Sequence, residues 1–427
     1  MNRREPLEDR DPTLVFRTSY GYDPLDRGVY STFNQWRESG KLGFLDLPGN
    51  GELYRSTAEL ASVMSSRADT MVVCGIGGSS LGLCALLEAF TDSFGSRKVI
   101  VADSPDSHLA EEIKEYLDPC RTALTVVTKS GGTAETMSLF LSFFDWIRKS
   151  PDWKNRIIAV TDPDKGDLRK LAEAECWSSL PVPPNVGGRF SVNSPVGLFP
   201  AIFAGIDAED VLGGAAAVLQ EFESSGEDSL AGRIAAAFVR NFFEYPIHPF
   251  FVYSSRLYST AHWFAQLWAE SLGKKLDRSG DTVNYGQTPL ACKGPADQHS
   301  LVQLFMEGPS DKTVTILTVP PSKDASGLSG GFQEYSSLAY LEGRTLDQLR
   351  NAEAEATGKA LEEIGTPVSY MEMKALDERS LGELFMALEI ATVLAGISIG
   401  VEPMDQPGVE RGKVLTYMAM GRPGYRT

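Results

Sequence analysis

Between residues 68 and 176, short apolar runs rich in β-branched residues alternate with helix-length segments, and this rhythm restricts the chain more than any other feature. Thr70–Cys74, Lys98–Ala102, Ala123–Thr128 and Arg156–Thr161 read as strands; Ser80–Phe90, Ser107–Leu117, Glu135–Lys149 and Gly166–Cys176 read as helices. Strands that are apolar along their whole length have no face to give to water. They therefore belong to a parallel sheet with helices on both faces. Crossovers between such strands are right-handed, and ligand-binding loops collect at the strands' carboxyl ends. A passage rich in Pro and Gly, 180–200, breaks the rhythm. Helices are then predicted over 209–222 and 228–245, a strand over His248–Tyr253 and a helix over Leu257–Ser271. A second alternating set follows: strand Lys312–Val319, helix 345–363, strand Thr366–Met373 and a long helix from about 379. Asp324–Gly331 reads as a surface loop. The expected fold class is α/β, with two doubly wound domains and mainly parallel sheets. Residues 1–45 are expected as an N-terminal arm packing on the large domain, 46–200 as the first domain and 201–427 as the second.

A chain of 427 residues is long enough for two cores, since single cores stop growing near ~250–300 residues. The formal charge of −17 argues against nucleic acid and anionic membranes as partners. An anionic substrate would need local cations and backbone N–H groups working against that field. No uninterrupted apolar run reaches the roughly 18–20 residues of a membrane span. The opening Met1-Asn2-Arg3-Arg4-Glu5-Pro6 leads into acidic residues rather than an apolar leader, so a cytoplasmic location is expected. Cys74, Cys84, Cys120, Cys176 and Cys292 are scattered without a CxxC pair and read as buried free thiols. The only histidines, at 108, 248, 262 and 299, offer little material for a metal site.

Two loops sit where a strand ends and a helix begins. Gly75-Ile76-Gly77-Gly78-Ser79-Ser80-Leu81-Gly82 has glycines that let backbone N–H groups approach an anion at a helix start. It is not the dinucleotide fingerprint, because Ser80 stands where the third glycine belongs. Thr128-Lys129-Ser130-Gly131-Gly132-Thr133-Ala134-Glu135-Thr136 repeats the arrangement with hydroxyls. Ser130, Thr133 and the first helical N–H groups suit phosphate oxygens, and Lys129 adds charge. The ordinary reading is a helix capped by Ser130 or Thr133, and one loop can serve both ends. Farther on, Trp268-Ala269-Glu270-Ser271-Leu272-Gly273-Lys274-Lys275 leaves the Glu270 carboxylate at the margin of an apolar helix, a candidate proton-abstracting base.

Taken together, the motifs GIGGSSLG (75–82), TKSGGTAET (128–136), GGRFSVNSPVGL (187–198), AESLGK (269–274), GPADQHS (294–300) and DQPGVERGK (405–413) resemble those of the glucose-6-phosphate isomerase family, of the sugar isomerase (SIS) fold. The resemblance implies two SIS-type domains and reversible isomerisation of glucose 6-phosphate and fructose 6-phosphate. It implies that Glu270 moves the proton between C1 and C2, with Arg189 beside the developing enediolate. His299 and Lys413 serve ring opening. Gly78, Ser79, Thr128, Lys129, Ser130 and Thr133 hold the phosphate and nearby substrate, and Gln266 and Gln406 contact substrate. No metal or other cofactor is implied, and the partner is a small sugar phosphate. A homodimer in which His299 crosses to the neighbouring subunit's site is implied as well.

Elementary chemistry agrees with these roles. One carboxylate can remove a proton alpha to a carbonyl and return it to the next carbon, and a fixed cation stabilises the oxyanion that develops. An imidazole suits proton movement between ring oxygens. Each residue alone also has an ordinary role: Arg189 as a structural ion-pair partner, His299 as a loop histidine, Lys413 paired with Glu410 or Glu402. His262, two turns before Glu270, is expected close behind the site. Two other readings fit the motifs: a bifunctional phosphoglucose/phosphomannose isomerase, and a non-catalytic phosphosugar sensor. The sensor would lack the base and carry a fused partner-binding domain. Gly131-Gly132 stands where other branches of the family carry bulkier residues, which is expected to loosen that loop.

Overall fold

The computed structural model describes residues 12–92 and 98–425; the amino-terminal stretch that reads as lacking an apolar leader lies outside them. The first sheet is wholly parallel, in the order Lys98–Ala102, Thr70–Cys74, Thr122–Val127, Ile157–Thr161, Ser178–Pro181. Its pleat sends alternate side chains into two separate cores. Met71, Val73, Ala123, Val127, Ile158 and Val160 meet the cluster that includes Leu83, Leu86 and Phe199. Val72, Cys74, Leu124, Val126, Ile157 and Ala159 meet Leu139, Phe140, Phe143 and Leu168 on the other face. Both faces are dry, as continuous apolar strands require. The chain reverses its direction of growth between Thr70–Cys74 and Thr122–Val127, and the two glycine loops leave the carboxyl ends of those strands. That crevice is where open α/β sheets bind ligands.

The second sheet runs Val15–Thr18, Val368–Glu372, Val314–Thr318, Ile247–Tyr253, Thr288–Lys293. Four strands are parallel and Val15–Thr18 pairs antiparallel at the edge. Phe250, Val252, Leu317 and Met371 face the large core, while Phe251, Ile316, Val368 and Tyr370 face a smaller one. The described residues of the expected arm, 12–45, contribute to the second sheet. Within them Val15–Thr18 is a strand of the second sheet, and Glu383 of the helix Glu378–Ser398 accepts hydrogen bonds from Thr13 N (2.7 Å) and Leu14 N (3.2 Å). Arg27–Glu38 is a helix capped by Asp26.

Glu378–Ser398 is long and apolar enough to cross a membrane by length and composition, yet all of its most apolar stretch is buried inside the protein. It is the core helix of the second unit. The helix Gly51–Arg67, the helix Pro195–Ala204 and a small hairpin, Lys274–Leu276 with Thr282–Tyr285, complete the parts that position the site. All five cysteines are free, and not all are buried: Cys120 and Cys176 are exposed. No cluster of three or more potential metal-ligating side chains occurs among the described residues.

Candidate active site

Glu270 is placed by one rigid helix, Tyr258–Leu272. Trp263, Phe264, Leu267, Trp268 and Leu272 are buried along one face, and each such burial contributes about 1.5–3 kcal/mol. Gln266 and Glu270, one turn apart, occupy the remaining half-buried face. Gln266 Nε2 donates to Glu270 Oε1 (3.1 Å), which leaves Oε2 turned toward Arg189. Lys274, just past the helix end, donates to the Glu270 carbonyl (2.9 Å) and pairs with Asp405 (3.0 Å). The last turn of the helix is thereby tied to the loop 403–406.

Arg189 belongs to a single turn, Gly188–Phe190, and its side chain is only 2% exposed. Its guanidinium is fully engaged. Nε donates to Ser271 Oγ (2.8 Å), Nη1 to Glu270 Oε2 (3.3 Å) and Gln406 Oε1 (2.8 Å), and Nη2 to the carbonyls of Pro403 and Asp405. Burial pushes its pKa below the usual arginine value while the Glu270 charge opposes the shift; guanidinium stays protonated under such pressure. Gly78 makes this placement possible. A Cβ there would stand 2.3 Å from the Gly188 carbonyl carbon, so only glycine lets the two turns touch. Ser191 Oγ also bonds to the Gly78 carbonyl (3.2 Å).

The second loop is built as a polar cradle. Thr128 Oγ1 lies 3.0 Å from Thr133 Oγ1 and 3.4 Å from Ser130 Oγ, and Ser130 Oγ is 3.4 Å from Thr133 Oγ1. Thr133 occupies the N-cap position of Ala134–Ile147, but its side chain makes no capping bond. The hydroxyls point together and the first helical N–H groups are left for another acceptor. Gly131 has φ +68°, and a Cβ on it would be 2.7 Å from the Asp167 backbone nitrogen, so it is packed tightly against the next loop.

Ile76, Gly77, Gly78, Ser130, Thr133, Gln266, Glu270, Gln406 and Lys413 line one cleft of about 520 Å³ with Glu135, Val409, Thr416 and Tyr417. Lys413 reaches it from the helix Glu410–Ala419 and also pairs with Glu410 (2.7 Å); Glu402 pairs with Lys41 instead. Arg189, behind Glu270, and Thr128, beneath the cradle, reinforce the walls. Ser79 closes the glycine turn beside Gly78 without lining the cleft.

Two sequence expectations, for Lys129 and His262, are placed differently. The Lys129 ammonium donates to the carbonyls of Pro184 (2.6 Å) and Val186 (2.9 Å), so it anchors the 183–186 loop instead of charging the cradle. Burial lowers its pKa. His262 is exposed and packs edge-on against Tyr258, centroids 4.7 Å apart, not behind the site. His299 is exposed on the turn after Ala296–Gln298 and does not line this chain's cleft. Buried His248 bonds to Thr315 (2.8 Å) and keeps a core role, its pKa lowered to about 3 by burial. A larger hollow, about 850 Å³, opens at the carboxyl ends of the second sheet near Ser254, Val319 and Lys374, and none of the predicted site residues lines it.

Sequence reasoning passes over Lys274, Ser271 and the 403–406 carbonyls, which hold Arg189 and Glu270 in register. Lys274 stands inside a quoted motif. Its signal is a lysine four residues after the candidate base, within reach of that residue's carbonyl.

The family described as phosphoglucose isomerase matches residues 57–422. Glucose-6-phosphate isomerase from Rubrobacter xylanophilus is 40% identical over 399 residues, covering 90% of this chain and 90% of that protein. Among solved structures, a hypothetical protein from Thermus thermophilus superposes with TM-score 0.86 at 36% identity, covering 92% of this chain and 94% of its own. A glucose-6-phosphate isomerase from Chlamydia trachomatis gives TM-score 0.75 at 24% identity, over 87% of this chain and 73% of its own; that likeness speaks to the fold alone.

Proposed function

This chain belongs to the phosphoglucose isomerase family and interconverts glucose 6-phosphate and fructose 6-phosphate, and we propose that Glu270 is the base that carries the proton between C1 and C2. The observation that carries the assignment is the shared cleft. Glu270 stands at one wall and the uncapped, hydroxyl-lined start of Ala134–Ile147 at another. A phosphate held at the helix start leaves the opposite end of a six-carbon sugar to face the carboxylate.

In the open-chain aldose, Glu270 takes the C2 proton as electron density moves onto the C1 oxygen, giving a cis-enediol(ate). Returning the proton to C1 while the C2 hydroxyl proton passes to the C1 oxygen yields the ketose. Arg189, already donating to Glu270, places its buried cation behind that carboxylate, near the developing oxyanion. Ser130, Thr133 and the first helical N–H groups bind the phosphate, with Thr128 holding both hydroxyls. Gln266 and Gln406 orient the sugar hydroxyls.

Ring opening requires a proton to leave O1 and another to reach O5. Lys413 is in the cleft for this task, and His299 is assigned to it as well. Because His299 does not line its own chain's cleft, its role calls for a second copy of the chain. A cytoplasmic homodimer, with His299 shared across the two-fold, is part of the same proposal.

The test is a coupled assay converting fructose 6-phosphate to glucose 6-phosphate, with chelator present. Wild type should turn over, and Glu270→Gln, which keeps the shape but cannot accept the proton, should lose ~10²–10⁴-fold in kcat while still binding the sugar phosphate. A Glu270→Gln enzyme within a few-fold of wild type would remove Glu270 from the role.

A further inference from the structure

The cradle has hydroxyls and N–H groups but lacks the cation that sequence reasoning assigns to it, since Lys129 is committed to the Pro184 and Val186 carbonyls. A phosphate dianion must nonetheless enter a protein of charge −17. The carboxyl-terminal segment supplies a candidate. Past the helix Glu410–Ala419 the chain reverses at Gly421, φ +70°. Arg422 N then bonds to the Tyr417 carbonyl at 2.9 Å. That turn lays the Arg422 guanidinium over the Tyr417 ring, 4.3 Å from its centroid, with the Tyr425 ring 5.6 Å away on the same cation.

The stack is registered on the cradle at two points. Tyr417 Oη contacts the Gly132 carbonyl at 3.5 Å. Arg422 Nη2 stands 3.8 Å from where a Cβ on Gly132 would lie. Arg422 has no carboxylate in an ion pair among the described residues, unlike Lys413, Lys274 and Arg189. An arginine stacked on Tyr417 beside the adjoining Tyr425 ring, close to a glycine of an uncapped helix start and without a carboxylate partner among the described residues, has the geometry of an anion clamp.

We propose that Arg422 is the substrate-phosphate cation of this enzyme: a specificity-determining residue that the carboxyl-terminal turn brings over the Ser130–Thr133 cradle. The proposal rests on the cradle's being the phosphate site of the isomerase. Its chemistry is charge-assisted, two-pronged recognition of a phosphate monoester, made in ground and transition states alike. Removing it therefore raises KM and leaves kcat nearly unchanged.

The test compares wild type, Arg422→Gln and Arg422→Lys in the full-length protein. It reads KM and kcat for fructose 6-phosphate, and separately the dissociation constant for inorganic phosphate by calorimetry. Arg422→Gln should raise KM about tenfold or more, weaken inorganic phosphate by a similar factor and change kcat less than threefold, with an unchanged melting temperature. Arg422→Lys should recover part of both affinities. If wild type isomerises and Arg422→Gln keeps both KM and phosphate affinity, Arg422 is not the clamp and the isomerase reading stands. If wild type binds phosphate but does not isomerise, the isomerase reading fails, and the calorimetric comparison still decides whether Arg422 holds phosphate.

Discussion

Replacing Arg189 by lysine keeps a positive charge in the site but removes the planar fork, and the structure allows both consequences to be worked out. Arginine serves five acceptors here: Ser271 Oγ, Glu270 Oε2, Gln406 Oε1 and the Pro403 and Asp405 carbonyls. A lysine ammonium has three donors on one nitrogen and cannot reach acceptors on opposite sides of a guanidinium. Glu270 and Gln406 can turn to water, and Asp405 O keeps Lys274 as a donor. Pro403 O and Ser271 Oγ are buried, so the variant leaves one of them unserved, at about 1–3 kcal/mol of stability. The kinetic consequence is larger. The charge retreats toward whichever buried acceptor the ammonium follows, away from the oxygen that becomes anionic. Loss of a positioned transition-state charge costs ~10²–10³ in kcat, with KM little changed because the attraction strengthens only as charge develops. Coupled isomerisation kinetics and thermal unfolding of the same preparation separate the two effects. A variant that unfolds earlier but keeps kcat within threefold of wild type would refute the catalytic role and leave Arg189 as a structural tie.

Ser130→Ala or Thr133→Ala should raise KM for fructose 6-phosphate more than it lowers kcat; an equal loss on a non-phosphorylated sugar would contradict phosphate binding there. Mixing inactive Glu270→Gln with inactive His299→Ala after partial unfolding should restore activity to about a quarter of all sites, since half the reassorted dimers each hold one intact composite site. Heterodimers confirmed by mass without recovered activity would return His299 to its own chain. Glu389 is wholly buried, neither carboxylate oxygen has a hydrogen-bond partner among the described residues, and burial holds its pKa well above the usual 4.5. A raised folded pKa means that the protonated form's stability is fully present below the unfolded value and is lost as pH rises through the folded one. Denaturant melts of wild type and Glu389→Gln between pH 5 and 8 should therefore show the variant gaining on wild type as pH increases, and a pH-independent gap would show that Glu389 does not titrate with folding.

The residue pattern alone settles the alternating architecture, because strands buried on both faces must be apolar along their whole length. Thr70–Cys74 and Lys98–Ala102 fall where the pattern puts them, and the other strands shift by one or two residues. The pattern also marks the two glycine loops and Glu270, whose chemistry is written in local motifs. It does not disclose the strands Val15–Thr18, Ser178–Pro181 and Thr288–Lys293. The first of these is four residues with an exposed-to-buried mixture and becomes a strand only by pairing with Val368–Glu372, at the far end of the chain. Edge strands take their identity from a neighbour, and the chain carries no short-range trace of it.

The site divides along the same line. Motifs name most of the groups that line the cleft, but the direction of a long flexible cation is a tertiary decision. Lys129 lies in the middle of the hydroxyl motif, yet the carbonyls of Pro184 and Val186, brought beside it by the fold, claim its ammonium. Arg422 lies beyond the last motif and reaches Gly132 only through the turn at Gly421 and the stack on Tyr417. Sequence order says which charges a chain owns; the folded backbone decides which of them remain free of other partners to meet a substrate.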